Sequence, residues 1–244
     1  MPKSLPVPIV PTSSPHPKPE LRLDFASHAA TKFACEHWHY AFIIPRSRLV
    51  SFGVWEDGIF IGCVVFGMGA NYNMASPFGL RPHEVVELVR IALTTHRSPV
   101  SRILSIATKL FRKHSPNVKL IVSYADTSYG HHGGIYQASG WRYIGSRKQE
   151  QFLINGVKTH KRGPAILAKN LGVRGTREFV EKHYGKLTVY HSVKHKYVYP
   201  LCDGLHLPSP LPYPKRRVEP VASDGAGTPP DEACATHSST LHVP

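Results

Sequence analysis

Lys119-Leu120-Ile121-Val122-Ser123-Tyr124-Ala125-Asp126, followed after Thr127-Ser128 by Tyr129-Gly130-His131-His132-Gly133-Gly134-Ile135-Tyr136, is the stretch whose reading decides the fold. Lys119–Asp126 reads as a buried strand that is apolar over Leu120–Val122 and then delivers polar groups at its carboxyl end, where ligands of open α/β sheets bind. Alternation puts Tyr124 and Asp126 on one face and Ser123 on the other. Asp126 can serve a ligand there, or cap the turn that follows. The Gly-rich turn leads into a short helix around Ile135–Ser139, stopped by Gly140. Its glycines allow close backbone approach to a ligand, and a helix start beside them favours an anion. The spacing is not that of a Walker phosphate loop. Tyr136, on the first turn, can donate a proton or simply pack.

Upstream, Arg48–Glu56 and Ile59–Phe66 are strand-like runs joined by Asp57-Gly58, a tight-hairpin composition. Gly67-Met68-Gly69-Ala70-Asn71 then interrupts the sheet. Glu84–Thr94 reads as a strand with Val85, Val89, Ile91 and Leu93 on one face and Val86, Leu88 and Ala92 on the other, so both faces are covered. Ser98-Pro99 suits a helix start with serine as N-cap. Ile103, Ala107, Leu110 and Phe111 form the apolar stripe of a helix ending near His114. Downstream, Trp141–Ser146 is a further strand and Glu150–His160 a hairpin through Asn155-Gly156. The order of elements predicts an α/β (α+β) domain with a mixed central sheet flanked by helices.

Prolines mark its edges. Of 22, seven fall in residues 2–19 and nine in 200–244. The expected organisation is a disordered Pro-rich arm over 1–20, one domain over 21–202 and a disordered tail over 203–244. A chain of 244 residues is ample for one real core. Mean hydropathy is −0.21, and no apolar run approaches the roughly 20 residues of a membrane span. The start lacks the apolar core of a secretory signal. Four scattered cysteines (Cys35, Cys63, Cys202, Cys234) make no disulfide framework and no C-x-x-C pair, which predicts a reducing, cytoplasmic setting. The net charge of +14 points to a polyanionic partner, nucleic acid first and an acidic membrane surface second.

Three further groups bear on chemistry. In Cys35-Glu36-His37-Trp38-His39-Tyr40, read as extended, His37 and His39 point to one side and suit a metal ligand pair or a ligand and a base; the alternative is histidines satisfied by backbone. In Glu87-Leu88-Val89-Arg90, alternation separates Glu87 from Arg90, and the two share a site only across a bulge; a buried ion pair is the other reading. Cations are spread through the chain: Arg46, Arg48, Arg97, Arg102, Lys109, Arg112, Lys113, Arg142, Arg147, Lys148, Lys158, Lys161 and Arg162. In the last ordered stretch Tyr184, Tyr190, Tyr197 and Tyr199 interleave with Lys182, Lys186, Lys194 and Lys196. Aromatics among cations suit a phosphate backbone with bases stacked alongside.

The element order is similar to the GNAT acetyltransferase superfamily. More specifically, His39-Tyr40, Glu87-Leu88-Val89-Arg90, Ser101, Ser123-Tyr124-Ala125-Asp126, Gly133-Gly134-Ile135-Tyr136-Gln137-Ala138, Trp141-Arg142-Tyr143-Ile144-Gly145 and Lys194-His195-Lys196-Tyr197-Val198-Tyr199 resemble the phage Mom family of DNA-adenine modification proteins, over about residues 35–200. The resemblance implies transfer of a methylcarbamoyl-type group to adenine N6 in double-stranded DNA, protecting phage DNA from restriction. It implies a reaction centre of His39, Tyr40, Asp126 and Tyr136, the same four being the ligands if iron is used. It also implies a donor site at Arg90, Ser98, Ser101, Arg102, Ser123, Gly133 and Gly134. Arg46, Arg48, Lys148, Lys158, Lys161, Arg162, Lys194, Lys196 and Tyr197 are the expected nucleic-acid contacts.

One departure bears on the donor. The superfamily's Q/R-x-x-G-x-G/A loop is missing, since no glycine falls between Ile91 and Tyr129. Arg97–Arg102 still offers helix-start amides and two arginines to an anion. The donor is therefore acyl-CoA or another activated molecule. His39 or Asp126 is the expected base, Tyr136 the acid, and Tyr40 or Trp38 a stacking surface for a flipped adenine. Two other readings compete: a non-catalytic nucleic-acid-binding module on the same fold, and a CoA-dependent N-acetyltransferase acting on a small amine or protein. Oligomeric state is left open, a homodimer included.

Overall fold

A computed structural model describes residues 17–69, 72–159 and 162–215. The first strand, β1 (Leu21–Phe25), begins at the expected edge of the domain. Ser27 then caps α1 (His28–Trp38) by accepting the amide of Ala30, and Thr31, Ala34 and Cys35 form its buried stripe. The segment around Cys35 is thus helical, where the sequence reading had it extended. β2 (Leu49–Glu56) and β3 (Ile59–Gly67) form the expected hairpin, with positive φ at Asp57 and Gly58 as a type I′ turn requires. β4 (Val85–Leu93) follows three short 3₁₀ turns. α2 (Val100–His114) ends where the pattern placed it. Its N-cap is Pro99 rather than Ser98, whose amide is instead bound to Glu56. β5 (Leu120–Asp126) and α3 (Gly134–Ala138) match the deciding stretch.

The carboxyl third is more continuous than its sequence suggests. The two predicted strands after Trp141 are one, β6 (Arg142–Ile154), irregular in register between Tyr143 and Gly145. Asn155-Gly156 turns it into β7 (Val157–Thr159). α4 (Arg162–Asn170), α5 (Thr176–Tyr184) and β8 (Leu187–Pro200) complete the chain of elements. The sheet order is β1-β2-β3-β4-β5-β8-β6-β7, mixed because β4 and β5 run parallel and the other pairs antiparallel.

α2 and α3 cover one face, burying Ile103, Leu104, Phe111 and Tyr136 against Phe52, Phe66, Leu88 and Ile121. α1 covers the other, with Ala34 and Cys35 on Cys63, Val65 and Ala92. Residues 203–214, expected as tail, are packed onto the body. Leu205 and Leu207 join the cluster of Val85, Leu120 and Val122; the Leu211 amide donates to Tyr143 O at 2.9 Å and the Tyr213 hydroxyl to Trp141 O at 2.7 Å. Residues 1–16 of the arm and 216–244 of the tail lie outside the described residues. Among the described residues, no helix is long and apolar enough to cross a membrane.

Candidate active site

The sheet parts at its centre. β4 and β5 are paired only from Val85↔Leu120 to Glu87↔Val122, although β4 runs on to Leu93 and β5 to Asp126. A cleft therefore opens beyond Glu87, at the carboxyl ends of two parallel strands. On the α2 face, Ser123 Oγ bridges the gap by donating to Leu88 O at 2.9 Å. Its only proton being so used, Ser123 Oγ accepts from the Tyr136 hydroxyl at 2.7 Å. Tyr136 is buried, and burial first of all pushes its phenol well above the usual value.

A bulge sets the other face. Val65 pairs with Arg90 but Phe66 with Leu88, so Val89 is the extra residue on β4. Val86, Leu88, Ile91 and Leu93 consequently share the α2 face, while Ala92 and Val89 pack under α1. The even alternation expected from the sequence fails at this point, and Glu87 and Arg90 come to one side. Arg90 donates through Nη1 to Val89 O at 2.7 Å, and its Nε is buried with no partner among the described residues. Burial raises the Glu87 carboxyl to about 7 against the pull of Lys194 and Arg90. Gly69, at φ +67, lies so close that a Cβ there would collide with this carboxylate. Tyr124, on the same face of β5, is raised to about 12 by burial and by Glu87, with Arg147 opposing.

His39 and Tyr40, just past α1, close the cleft from this side. His39 is buried, and its Nδ1 accepts the Ala41 amide at 3.0 Å, so its proton is on Nε2. Burial, then Arg90 and His131, lower its pKa to about 3. It is a neutral hydrogen-bond donor rather than the expected base. Its ring lies 4.1 Å from that of Tyr40, which lies 4.0 Å from Tyr129 and 5.5 Å from His131. Burial also raises the Tyr40 phenol. His37 does not join the pair: it is exposed on the last turn of α1, hydrogen-bonded to Phe33 O and stacked on the Phe33 ring. Asp126 Oδ1 accepts from the amide and hydroxyl of Ser128 at 3.0 and 2.8 Å, and Oδ2 faces Lys194 Nζ at 3.6 Å. The sequence offered ligand binding or capping for Asp126; it caps the turn and also belongs to the cleft.

Other expected residues fall elsewhere. Tyr197 is fully buried, donating to His132 O at 2.7 Å, and so cannot stack on a base. Gly133, at φ +88, makes room for that tyrosine, since any Cβ there would strike its ring; the close approach is internal, not to a ligand. Gly134 abuts the His132 imidazole. Lys196 lies over the Phe78 ring at 4.6 Å, its pKa lowered by burial. Arg46, Arg48 and Lys148 are exposed. Lys161 and the side chains of Lys158 and Arg162 lie outside the described residues.

The loop leading into α2 is engaged by an acid. Glu56, at the end of β2, accepts the amides of Arg97 at 2.8 Å and Ser98 at 2.7 Å, and Arg97 also pairs with Asp57. Burial pushes the Glu56 carboxyl up, but these bonds outweigh it and hold it below the usual range. Ser101 is half-buried on the first turn and Arg102 exposed beside Pro19 O. Glu56 thus takes two amides of the loop before α2 and not those of Val100 and Ser101 on its first turn. The iron set does not fit. Among the described residues no three His, Cys, Asp or Glu side chains group to hold a metal, and the Tyr136 hydroxyl is turned to Ser123.

A mixed α/β sheet parted between parallel strands, with acid, guanidinium, imidazole and phenol groups gathered at the gap, is a protein built around a cleft. The chain belongs to the Mom protein family, whose profile matches residues 20–215. It is 27% identical over 146 residues to the methylcarbamoylase Mom of Escherichia phage Mu, a match covering 58% of this chain and 61% of that relative. Solved structures similar to it include a Bacillus subtilis acetyltransferase in complex with CoA (12% identity, TM-score 0.40, 75% of this chain and 100% of that one). An N-acetyltransferase of Staphylococcus aureus has 10% identity and a TM-score of 0.40, covering 75% of this chain and 98% of that one.

Glu87 is the site residue that sequence reasoning left undecided, and Tyr124 the one it left out. The signal for Glu87 was the bulge, which no alternation pattern reveals; for Tyr124 it was the shared face with Asp126.

Proposed function

We propose that this chain is a transferase that places a methylcarbamoyl-type group on adenine N6 of double-stranded DNA and so shields phage DNA from host restriction enzymes. Membership of the Mom family carries the reading, with the name of the phage Mu relative supporting the group transferred. The cleft between β4 and β5 supports a reaction held at strand ends, and the +14 charge a polyanionic substrate.

Adenine N6 is a weak nucleophile because its lone pair is delocalised into the ring. An enzyme must take the base out of the stack, orient it and accept a proton as the new bond forms. The Tyr40 ring is held between those of His39 and Tyr129, so it offers an extruded base its edge and its hydroxyl. Of the two bases expected from the sequence, His39 is held neutral and Asp126 is bound to Ser128 and Lys194. Glu87 has no hydrogen bond among the described residues and takes the proton in this reading. N6 bonds to the donor's electrophilic carbon, that carbon's bond to its leaving group breaks, and the N6 proton passes to the Glu87 carboxylate. Arg90 supplies positive charge for the departing group. The donor is an activated molecule of this kind, an acyl-CoA or another.

Plasmid DNA from cells expressing the chain, digested and weighed as nucleosides, tests the reading. A fraction of deoxyadenosine heavier by the added group is expected; deoxyadenosine entirely at its normal mass overturns it.

A further inference from the structure

β5 meets β8 no further than Asp126↔Lys194, whereas β6 and β8 stay paired to Ile154↔Leu187. Residues 148–154 and 187–193 therefore run on past the end of β5 where the cleft opens, an overhang of about 23 Å at about 3.3 Å per residue. This arm has a core of its own, in which Phe152, Ala168, Phe179 and Val180 pack with Leu187 and Val189. Residues 147–193 hold ten Lys and Arg against three Asp and Glu, half of the chain's positive excess. One of the three acids, Glu150, is tied to Arg177. Arg147, Lys148, Lys169, Arg174, Lys182 and Lys186 are exposed with no acidic partner among the described residues.

We propose that this lobe, made of β6, β7, α4, α5 and the first half of β8, is a phosphate grip that lays duplex DNA across the mouth of the β4–β5 cleft. The inference rests on the DNA-modifying reading and adds to it the surface that holds the substrate. An enzyme that extracts one base needs the flanking backbone held in register, and phosphate contacts do this without reading sequence. The overhang matches about seven base pairs of duplex at about 3.4 Å each. Because the arm starts at the Asp126–Lys194 pair, phosphates held along it leave the target nucleotide beside Tyr40 and Glu87. Arg147 and Lys148 lie on β6, Lys169 on α4 and Lys182 on α5, with Arg174 and Lys186 in the short turns that flank α5, all over one packed core rather than on a free cationic tail.

The test is binding of a short duplex of arbitrary sequence, followed by fluorescence anisotropy between about 50 and 200 mM salt. The variant Lys169→Ala/Arg174→Ala/Lys182→Ala/Lys186→Ala is expected to bind at least about tenfold more weakly, with a salt slope shallower by about 2 to 4. Its melting temperature stays at the wild-type value, and modified deoxyadenosine falls. Arg112→Ala/Lys113→Ala, at the far end of α2, is expected to bind as the wild type does. Unchanged affinity and slope in the fourfold variant overturn the grip, as does wild-type binding to phosphatidylserine vesicles in preference to duplex. If the wild type binds duplex through the lobe yet leaves every adenine at its normal mass, the grip stands and the reading of the reaction falls.

Discussion

Burial acts on Glu87 and His39 in opposite senses. One carboxyl is raised by burial until it exchanges its proton near pH 7; one imidazole is lowered by burial until it never takes one up in that range. Replacing Glu87 by Gln keeps the shape and removes the acceptor, so modification is expected to fall about 100-fold or more while the melting temperature holds. The base works deprotonated, and its raised pKa means that wild-type activity declines as pH drops through about 7. Plasmid modification in clarified extract buffered from about pH 6 to about pH 8 reads this, and the Gln variant should give a flat residual rate. A Gln variant matching the wild type would remove Glu87 from the chemistry. Val-Glu-Leu-Val-Arg-Ile-Ala-Leu, residues 86–93, is apolar enough on both sides to satisfy either register. The sequence therefore named the residues but could not bring Glu87 and Arg90 to one face.

At the level of elements, Glu56 joins the end of the β2–β3 hairpin to the start of α2. Glu56→Gln cannot accept two amides as a carboxylate does, and a loss of about 1–3 kcal/mol is expected in urea unfolding at neutral pH. Because the bonds hold the Glu56 carboxyl below its ordinary value, their stabilisation is complete above about pH 4.3 and fades as pH falls further. The gap between variant and wild type should therefore narrow in acid; a gap constant with pH would contradict this account. The hairpin and α2 were legible because Asp57-Gly58 and the 103/107/110/111 stripe are local signals. α1 was missed because a window opened at Cys35 hides the cap at Ser27 and the Thr31, Ala34, Cys35 spacing that makes it a helix. β6 read as two strands because Arg147-Lys148-Gln149, in its middle, is polar on both faces and carries no apolar alternation.

For the whole molecule, composition misplaced the point where packed chain ends. Pro208, Pro210, Pro212 and Pro214 give 203–214 the composition of a linker, yet its leucines and Tyr213 are seated on β5, β6 and the turn at Trp141. Extended proline-rich chain can pack without forming helix or strand, so composition alone misjudged it. Ending the chain at Cys202 is expected to cost about 2 kcal/mol or more, a fall of roughly 4–8 °C in Tm by differential scanning calorimetry. An unchanged Tm would show that segment to be idle. The early end of the β4–β5 ladder has a last consequence. Past Glu87 and Val122 the facing edges of two strands are left without each other as partners, so the lips of the gap are peptide bonds. Whatever those peptides recognise is specified by chain path rather than by side-chain identity, and lineages can drift in sequence around the opening while its grammar of donors and acceptors stays the same.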